Sequence, residues 1–411
     1  MDPQLRRNAD KIIQEAIATV LPDKAVQQAL KGREFPGRVV LVAAGKAAWQ
    51  MAKTAYDCLG DRIDSGIVIT KYGHSKGTIG NFQCYEAGHP VPDENGTQAT
   101  QEAVRLVSGL TEVDTVLFLL SGGGSTLFEL PLVSLAELQD INTQLLASGA
   151  DIVQINTIRK RLSGVKGGRF AQLVMPAQVY TVVLSDVLGD RLDMIASGPA
   201  YPDTSTCGEA LEIAEHLGLQ MSDCAKELLR QETPKELGNV QTKISGSVRQ
   251  LCAAAAKACR SLGYKTSILR EDVSCQAREA GAYLASVARE NAGNGKKLAF
   301  VIGGETVVKV TGTGKGGRNQ ELALAAAAGI EGLPGVAIFS VGSDGTDGPT
   351  DAAGGYVDGQ TAGKLRSSGV DIQQALQNND AYHVLEKTGG LIFTGPTGTN
   401  VNDVAVVLIE Q

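Results

Sequence analysis

Short β-branched apolar runs alternate with longer stretches of helical period along almost the whole chain, from about residue 38 onward. Strands separated by helices require crossover connections, which build mostly parallel sheets with helices on their faces. The fold class is therefore predicted to be α/β. The expected strands are 38–44, 66–70, 114–120, 179–185, 265–269, 297–302, 307–310, 335–341 and 404–409, and the clearest helices are 93–109, 135–149, 247–262 and 274–292.

The length of the chain predicts more than one domain, because 411 residues exceed what one simple core usually holds. A polar stretch near 232–246, which contains Pro234, Gly238 and Gly246, interrupts the alternation. We therefore predict one domain at 1–235 and a second at 236–411. The pattern leaves open which sheet receives the last strand.

The composition argues against several kinds of partner. The formal net charge is −7 and no basic stripe is visible, so a nucleic acid is not expected as a partner. No apolar run approaches the roughly 18 to 20 residues that span a bilayer, and no apolar segment follows the charged N-terminus, so we expect a cytoplasmic protein without a membrane partner. The seven cysteines form no CxxC pair and the four histidines no HExxH motif, which argues against a disulfide framework and a catalytic zinc.

Glycine is over-represented, with 49 of 411 residues, and many of the glycines follow predicted strands. Open α/β sheets bind ligands beyond the carboxyl ends of their strands. The first such loop, 43–48, carries Lys46 in the expected first turn of a helix, where free N–H groups favour phosphate or carboxylate. An ordinary exposed lysine is the alternative interpretation.

A second loop, 121–126, has three consecutive glycines after a very apolar strand. Glycines let the backbone approach an anion closely, and this loop lacks the Gly-Lys-Ser/Thr ending of a Walker A motif. A plain flexible turn is the alternative. The residues of these two loops that we expect to bind substrate or nucleotide are Gly45, Ser121, Gly122, Gly123, Gly124 and Ser125.

The loop 312–319 contains the letters of the dinucleotide-binding fingerprint, G-x-G-x-x-G. The match is weak, because the preceding segment, 306–311, resembles a hairpin arm and no conclusive acidic residue follows about 20 positions on. The end of the loop carries more information. Arg318 should lie at the start of an apolar helix, 321–329, where its planar guanidinium would suit a phosphate, unless it is an ordinary surface arginine.

Carboxylates occur at the ends of two predicted strands. Asp186 ends the strand 179–185, where it could orient a hydroxyl or hold magnesium. The loop 343–351 carries Asp344 and Asp347 at a spacing that does not fit an EF-hand but would suit magnesium or a substrate hydroxyl. Turn-stabilising aspartates are the alternative in this loop.

The combination of loops favours one reaction class. Backbone anion sites, one lysine, one arginine and several carboxylates match the needs of phosphoryl transfer, in which charge stabilisation does most of the work. A sixth glycine-rich segment, 394–403, is either another ligand loop or a tight connector.

Taken in order, these segments resemble the glycerate 2-kinase family, whose C-terminal half is called the MOFRL domain. The resemblance covers nearly the whole chain. The strings that carry it are AGKA at 44–47, GHP at 88–90, SGGGS at 121–125, KGG at 166–168, SDV at 185–187, ASGP at 196–199, GGRNQE at 316–321, SDGTDGPTD at 343–351 and TGTNVND at 397–403.

The resemblance implies a larger N-terminal domain with a Rossmann-like, mostly parallel sheet and a smaller C-terminal MOFRL-like α/β domain, with the active site in the cleft between them. It implies transfer of the ATP γ-phosphoryl group to the 2-hydroxyl of D-glycerate, with Mg²⁺. The catalytic residues would be Lys46, Arg318 and, from its loop position, Asp186. Asp186 and Asp344 are the candidate metal ligands. Further candidates for binding substrate or nucleotide are Lys166, Gly303, Glu305, Gly317, Asn319, Asp344 and Asp347.

Three other functions remain open at this point. An NAD(P)H-dependent hydroxypyruvate reductase would act on the same class of substrate, although the chain lacks a proper strand–GxGxxG–helix unit. A kinase of a related small hydroxy acid and a sugar-acid sensor without turnover are the others. The sequence leaves open whether the protein forms a homo-oligomer.

Overall fold

The computed structural model describes residues 1–185, 187 and 191–410. The chain forms two compact units. We call Ala25–Ser245 the parallel-sheet unit, and Met1–Lys24 together with Gly246–Gln411 the mixed-sheet unit. Within the described residues, no helix is both long and apolar enough to cross a membrane.

The secondary structure follows the predicted alternation. The strands are β1 Val39–Ala44, β2 Ile63–Lys71, β3 Gln83–Ala87, β4 Thr115–Leu120, β5 Gln178–Leu184, β6 Val240–Gly246, β7 Lys265–Val273, β8 Leu298–Gly304, β9 Val336–Gly342, β10 Gly354–Asp358, β11 Leu391–Ile392 and β12 Asp403–Ile409. The helices are α1 Pro3–Thr19, α2 Pro22–Leu30, α3 Ala48–Leu59, α4 Glu94–Leu106, α5 Gly124–Leu127, α6 Leu135–Ala147, α7 Ile152–Arg161, α8 Arg169–Val174, α9 Cys207–His216, α10 Asp223–Leu229, α11 Val248–Ser261, α12 Ala277–Asn291, α13 Arg318–Ala327, α14 Thr361–Ser367, α15 Ile372–Gln377 and α16 Ala381–Thr388.

The boundary between the units differs from the predicted division at 235/236 in two ways. Strand β6 extends the first sheet beside β5, so the division falls after Ser245. The N-terminal residues belong to the mixed-sheet unit, because α1 packs against α11 and the Asn8 amide donates to Tyr264 Oη and Glu410 Oε1 at 3.0 and 2.9 Å. A polar stretch in the sequence marks a surface segment, and it does not show which neighbouring strand still pairs with the sheet.

The parallel-sheet unit contains one sheet in the order β3-β2-β1-β4-β5-β6. Strands β1 and β4 are buried along their whole length and pair in parallel, as expected for central strands covered on both faces. The chain proceeds outward from β1 in one direction and from β4 in the other, so the strand order reverses between them. Such a reversal is the place where open α/β sheets bind ligands.

The mixed-sheet unit contains a sheet in the order β11-β10-β9-β12-β8-β7. Only β7 and β8 pair in parallel, whereas β12 runs antiparallel to both β8 and β9. The last strand is therefore central to this sheet, which settles its assignment. The antiparallel direction brings Asp403, the first residue of β12, opposite Gly304 and Gly342, the last residues of β8 and β9.

One predicted strand, 307–310, is wrong. Val307 makes a single isolated bridge with Gln276, and Val307 and Val310 are 54% and 76% exposed. The β-branched residues resemble a strand, but among the described residues the segment has no further strand partner, and of its valines only Val308 is partly buried against the core. The expected hairpin arm at 306–311 is therefore wrong as well.

Candidate active site

Two loops meet at the reversal of strand order in the parallel-sheet unit. Gly45 follows β1 with φ of 126°, and a Cβ there would stand 2.3 Å from Ser121 Oγ, so only glycine fits. Lys46 N–H donates to the Gly122 carbonyl at 2.9 Å, and Ala47 N–H donates to Ser121 Oγ at 3.0 Å. These bonds fix the first loop against the second.

The glycine-rich loop exposes backbone donors. Gly123 takes φ of 86°, and the short helix α5 starts at the next residue. Among the described residues, the half-exposed N–H groups of Gly122 and Gly123 have no hydrogen-bond partner. Two unpaired N–H groups beside each other form a concave donor site for an anion.

Positive charge lies beside these donors. The prediction that Lys46 lies in the first turn of a helix is wrong, because α3 begins at Ala48 and Lys46 belongs to the preceding turn. Its side chain still passes this site, since a Cβ on Gly123 would stand 3.4 Å from Lys46 Cγ. Within the part of the chain that the structure describes, the exposed Lys46 ammonium has no acidic partner. An anion would therefore meet an unneutralised cation here.

His89, from the GHP string at 88–90, lies in the same group. A Cβ on Gly123 would stand 3.2 Å from His89 Nε2, and His74 Nδ1 lies 3.0 Å from the Lys46 carbonyl. Burial lowers the pKa of His89, and the positive charges of Lys46 and Lys71 lower it further. The imidazole is therefore neutral near pH 7, and it can donate or accept one hydrogen bond next to an anion.

Lys166, predicted to bind ligand, is instead fully occupied inside the unit. Its ammonium donates to the carbonyls of Ser125 and Phe128 at 2.7 and 3.0 Å and lies 3.3 Å from Glu129. Burial lowers its pKa, and the charge of Glu129 partly offsets that effect. Lys166 therefore positions α5 and the segment directly after it. Asp186 lies outside the described residues.

In the mixed-sheet unit, Arg318 begins α13 as the sequence predicts, three residues before the expected helix start. Its Nε and Nη2 donate to Asp403 at 2.6 and 3.1 Å, and its Nη1 lies 3.0 Å from Glu305. Burial lowers the pKa of Arg318, but the hydrogen bonds and charge of Asp403 outweigh that effect and raise it above its usual value. The guanidinium stays charged and is held in a fixed orientation.

Asp347 and Asn319, both predicted to bind ligand, form the start of α13. Asp347 accepts from the N–H groups of Asn319 and Gln320 at 3.1 and 2.8 Å, which satisfies helix donors that Gly317 cannot cap. Asn319 also accepts from Ser340 Oγ at 2.5 Å. Burial raises the pKa of Asp347 to about 6 despite those N–H donors. Both side chains therefore position Arg318 and have little capacity left for a ligand.

Asp344 and Asp403 each have one carboxylate oxygen close to Gly342, at the edge of the sheet. A Cβ added to Gly342 would stand 3.3 Å from Asp344 Oδ1 and 3.4 Å from Asp403 Oδ1. Among the described residues there is no group of three or more His, Cys, Asp or Glu side chains that could hold a metal ion. A Mg²⁺ ion that takes one or two protein carboxylates and completes its shell with phosphate and water fits a pair of this kind.

Sequence reasoning did not select Asp403, although it quoted the string that contains it. Asp403 is the principal partner of Arg318, yet it begins a strand, whereas ligand residues of parallel sheets follow strands. The antiparallel direction of β12 places it at the same edge. An Asn-Asp pair directly before an apolar strand was the available signal.

The G-x-G-x-x-G string at 312–317 has a packing role. Asn379 Oδ1 accepts from the N–H groups of Thr311 and Gly312, and the Asn378 carbonyl accepts from Gly314 N–H at 2.8 Å. A Cβ on Gly312 would stand 2.4 Å from Asn378 Cα. The N–H groups of Gly312 and Gly314 are therefore already used, and the glycines allow close contact with the segment after α15.

Comparison with known proteins gives consistent results along the whole chain. A family model described as a domain of unknown function (DUF4147) matches residues 8–230, and the MOFRL family model matches residues 298–403. A protein of Thermotoga maritima named D-glycerate 2-kinase is 54% identical over 99% of each chain. A protein of Agrobacterium vitis named putative hydroxypyruvate reductase is 37% identical over 99% of this chain and 95% of its own.

A solved structure also matches. The crystal structure of a glycerate kinase from Thermotoga maritima superimposes with a TM-score of 0.96 at 53% identity, and it covers 99% of this chain and 100% of the other. The two sheets described above, including the central position of β12, therefore occur in a homologue whose structure was determined by crystallography.

Proposed function

We propose that this chain, which belongs to the glycerate 2-kinase family, transfers the γ-phosphoryl group of ATP to the 2-hydroxyl of D-glycerate and forms 2-phosphoglycerate. The observation that carries the proposal is the full-length similarity to a D-glycerate 2-kinase. The two anion-binding groups support it independently. One combines Lys46 with the N–H groups of Gly122 and Gly123, and the other is built around Arg318.

In the proposed reaction, the 2-hydroxyl oxygen attacks the γ-phosphorus while the bond from that phosphorus to the β–γ bridging oxygen breaks. ADP leaves, and the hydroxyl proton passes to a carboxylate, for which Asp186 and Asp344 are the candidates. Lys46 and Arg318 would neutralise the equatorial oxygens of the transferring group. The glycerate carboxylate would bind the N–H groups of the glycine-rich loop. Joint action of Lys46 and Arg318 on one phosphoryl group remains a prediction from the family resemblance.

The partners of Arg318 suggest how it would receive a phosphate. Glu305 is about half exposed, with 47% of its side chain accessible, whereas Asp403 is 8% accessible. An exposed ion pair contributes only about 0–1 kcal/mol, so a phosphate oxygen could displace Glu305 at small cost. Asp403 would remain in place and keep the guanidinium oriented.

Magnesium is proposed as the metal partner of ATP, with Asp344 and Asp403 as the residues that would hold it. When bound, Mg²⁺ would offset the charge of the β- and γ-phosphates. The cytoplasmic location is a prediction from the sequence.

Hydroxypyruvate reduction is the second candidate, because a relative carries that name. The packing role of residues 312–317 counts against it, since the N–H groups of Gly312 and Gly314, which a dinucleotide site would need, are already bonded to Asn379 and Asn378. A direct assay separates the two functions. Purified protein is given D-glycerate, ATP and magnesium, and the product is coupled to enolase without a mutase.

The enolase signal would appear only if phosphate is transferred to the 2-position, because enolase acts on 2-phosphoglycerate. ADP formation without an enolase signal would refute the proposed position of phosphorylation or the substrate. Absence of ADP, together with oxidation of NADH by hydroxypyruvate, would refute the kinase and favour the reductase.

A further inference from the structure

The mixed-sheet unit contains a pocket of about 430 Å³ at the carboxyl ends of its parallel strands, β7 and β8. Pockets of about 300 to 1,000 Å³ are typical of small-molecule sites. None of its lining residues was selected from the sequence as a ligand residue. The floor is apolar and consists of Val273, Ala280 and Ile302.

The walls of the pocket carry planar and acidic groups. Tyr283 projects from α12 with 46% of its surface exposed, although it is a large aromatic residue. Arg270 lines the same pocket, and its guanidinium is held by Asp272 at 3.0 and 3.3 Å. Aromatic rings and guanidinium planes are the groups on which nucleic acid bases stack, and carboxylates accept hydrogen bonds from ribose hydroxyls.

The pocket lies next to the Arg318 site, and two residues form part of the wall of both. Val273 and Ile302 line both this pocket and a smaller cavity beside Asn319 and Asp403. Glu305 N–H donates to the Val273 carbonyl at 2.8 Å, and the Glu305 carboxylate pairs with Arg318. Through Val273 and Glu305, the wall of the pocket is thus in contact with the residues that hold the guanidinium proposed to bind phosphate.

We propose that this pocket binds the purine nucleoside of ATP, with the base against Tyr283 and the phosphates directed to Arg318. The inference rests on the proposed function and assigns the nucleoside part of its substrate to named residues. A pocket for a compact hydroxy acid would need neither an aromatic wall nor this volume. The apolar floor also disfavours a phosphate inside the pocket itself, because Arg270 is already paired with Asp272 and the remaining charged side chain, Glu279, is negative.

Cys275 provides a direct reporter, because it is a free, exposed thiol on the wall of the pocket. Cys58 and Cys224 are also free and exposed, and both belong to the parallel-sheet unit. The full-length protein is treated briefly with N-ethylmaleimide, and the modification of each cysteine is measured by peptide mass spectrometry. The treatment is repeated with ADP, adenosine or inorganic tripolyphosphate at concentrations shown by calorimetry to saturate or, for weak ligands, at the highest soluble concentration.

We expect ADP to slow the modification of Cys275 at least fivefold and to leave Cys58 and Cys224 unchanged. Adenosine should protect Cys275 at higher concentration, and tripolyphosphate should not protect it. Saturating ADP without protection of Cys275 would overturn the inference. Equal protection of all three cysteines, or protection by tripolyphosphate alone, would overturn it as well.

A second test uses Tyr283, which is exposed, so that its substitution removes little buried surface from the fold. Tyr283→Ala should weaken ADP binding about tenfold, within the range given by loss of base–aromatic stacking, and Tyr283→Phe should bind within about twofold of the wild type. Tripolyphosphate affinity should be the same in both. Leu146→Ala, which removes another exposed large side chain, in the other unit, is the matched control.

Equal ADP affinity in Tyr283→Ala and the wild type would overturn the inference. The two proposals fail in distinguishable ways. ATP-dependent turnover of glycerate without Cys275 protection would refute only the nucleoside pocket. Failure of both ADP and ATP to bind in calorimetry would refute the proposed function and the pocket together.

Discussion

Replacing Arg318 with alanine should lower activity, because the guanidinium is lost, and should lower stability, because Asp403 loses its partner. The Asp403 carboxylate is 8% accessible, and its two oxygens lie 2.6 and 3.1 Å from Arg318. In Arg318→Ala this buried charge loses its principal partner. Leaving a buried polar group unsatisfied costs about 1–3 kcal/mol, and because Arg318 is one-third accessible we expect this range and not the 3–5 kcal/mol of a fully buried pair.

The variant should therefore melt roughly 2–12 °C below the wild type, at about 2–4 °C per kcal/mol for a unit of this size. Its kcat/KM should fall by about 10³ to 10⁵, the usual effect of an arginine that stabilises a transferring phosphoryl group. Arg318→Ala combined with Asp403→Asn should recover most of the melting temperature, because the amide carries no charge. It should recover none of the activity.

The pH dependence gives a further check. Burial already raises the pKa of Asp403 in spite of Arg318, and removal of the arginine raises it further. A carboxyl group whose pKa is higher in the folded state than in the unfolded state lowers the free energy of unfolding while it is ionised. This effect disappears as the pH falls and the group becomes protonated. The stability deficit of Arg318→Ala should therefore shrink as the pH is lowered from neutral and Asp403 takes up a proton. A deficit that Asp403→Asn does not relieve, or a loss of activity below tenfold in the coupled assay, would refute the reasoning.

Three further variants test the remaining groups. Lys46→Met should abolish turnover and melt close to the wild type, because the ammonium has no acidic partner among the described residues. The control Lys53→Met, on the next helix, should keep its activity. A misfolded Lys46→Met variant would indicate a structural lysine. Glu305→Gln should lower the KM for ATP by up to about fivefold, because a competitor for Arg318 is removed; a higher KM would indicate that Glu305 itself binds the nucleotide or its metal. Burial raises the pKa of Asp347 to about 6. In urea unfolding, the free energy of unfolding of the wild type should therefore rise by up to about 3 kcal/mol relative to that of Asp347→Asn as the pH falls from 7 to 4. A difference that stays constant with pH would contradict that pKa.

The sequence predicts the type and place of most elements because the periodicity of buried residues is a local property. Strand β1 was expected at 38–44 and runs from Val39, and α12 was expected at 274–292 and runs from Ala277 to Asn291. The glycine loops were found for the same reason, since Gly45 and Gly123 need backbone conformations that other residues avoid. Arg318 was placed at a helix start because an apolar helix pattern follows it.

The partners of charged residues could not be predicted in the same way. Lys166 and Lys46 both lie beside glycines in the sequence, yet one ammonium is buried on carbonyls and the other is exposed without an acidic partner in the described chain. Asp403 required the direction of β12, which depends on its pairing with β8 and β9 and not on its own residues. The segment 307–310 shows the opposite error, because β-branched residues favour a strand only where a partner strand is available.

The two proposed anion-binding groups differ in whether acidic residues already offset their positive charge, and this difference bears on which anions each group should select. Around Lys46 the charge is unneutralised, and burial and neighbouring cations keep His89 uncharged, so any small anion of suitable shape should be attracted. Around Arg318 the charge is already offset by Asp403 and Glu305. An anion gains there only if it replaces Glu305 or arrives with a cation of its own, as a magnesium nucleotide does. We therefore expect the first group to accept simple carboxylates and inorganic phosphate weakly, and the second to discriminate in favour of a metal-bound polyphosphate.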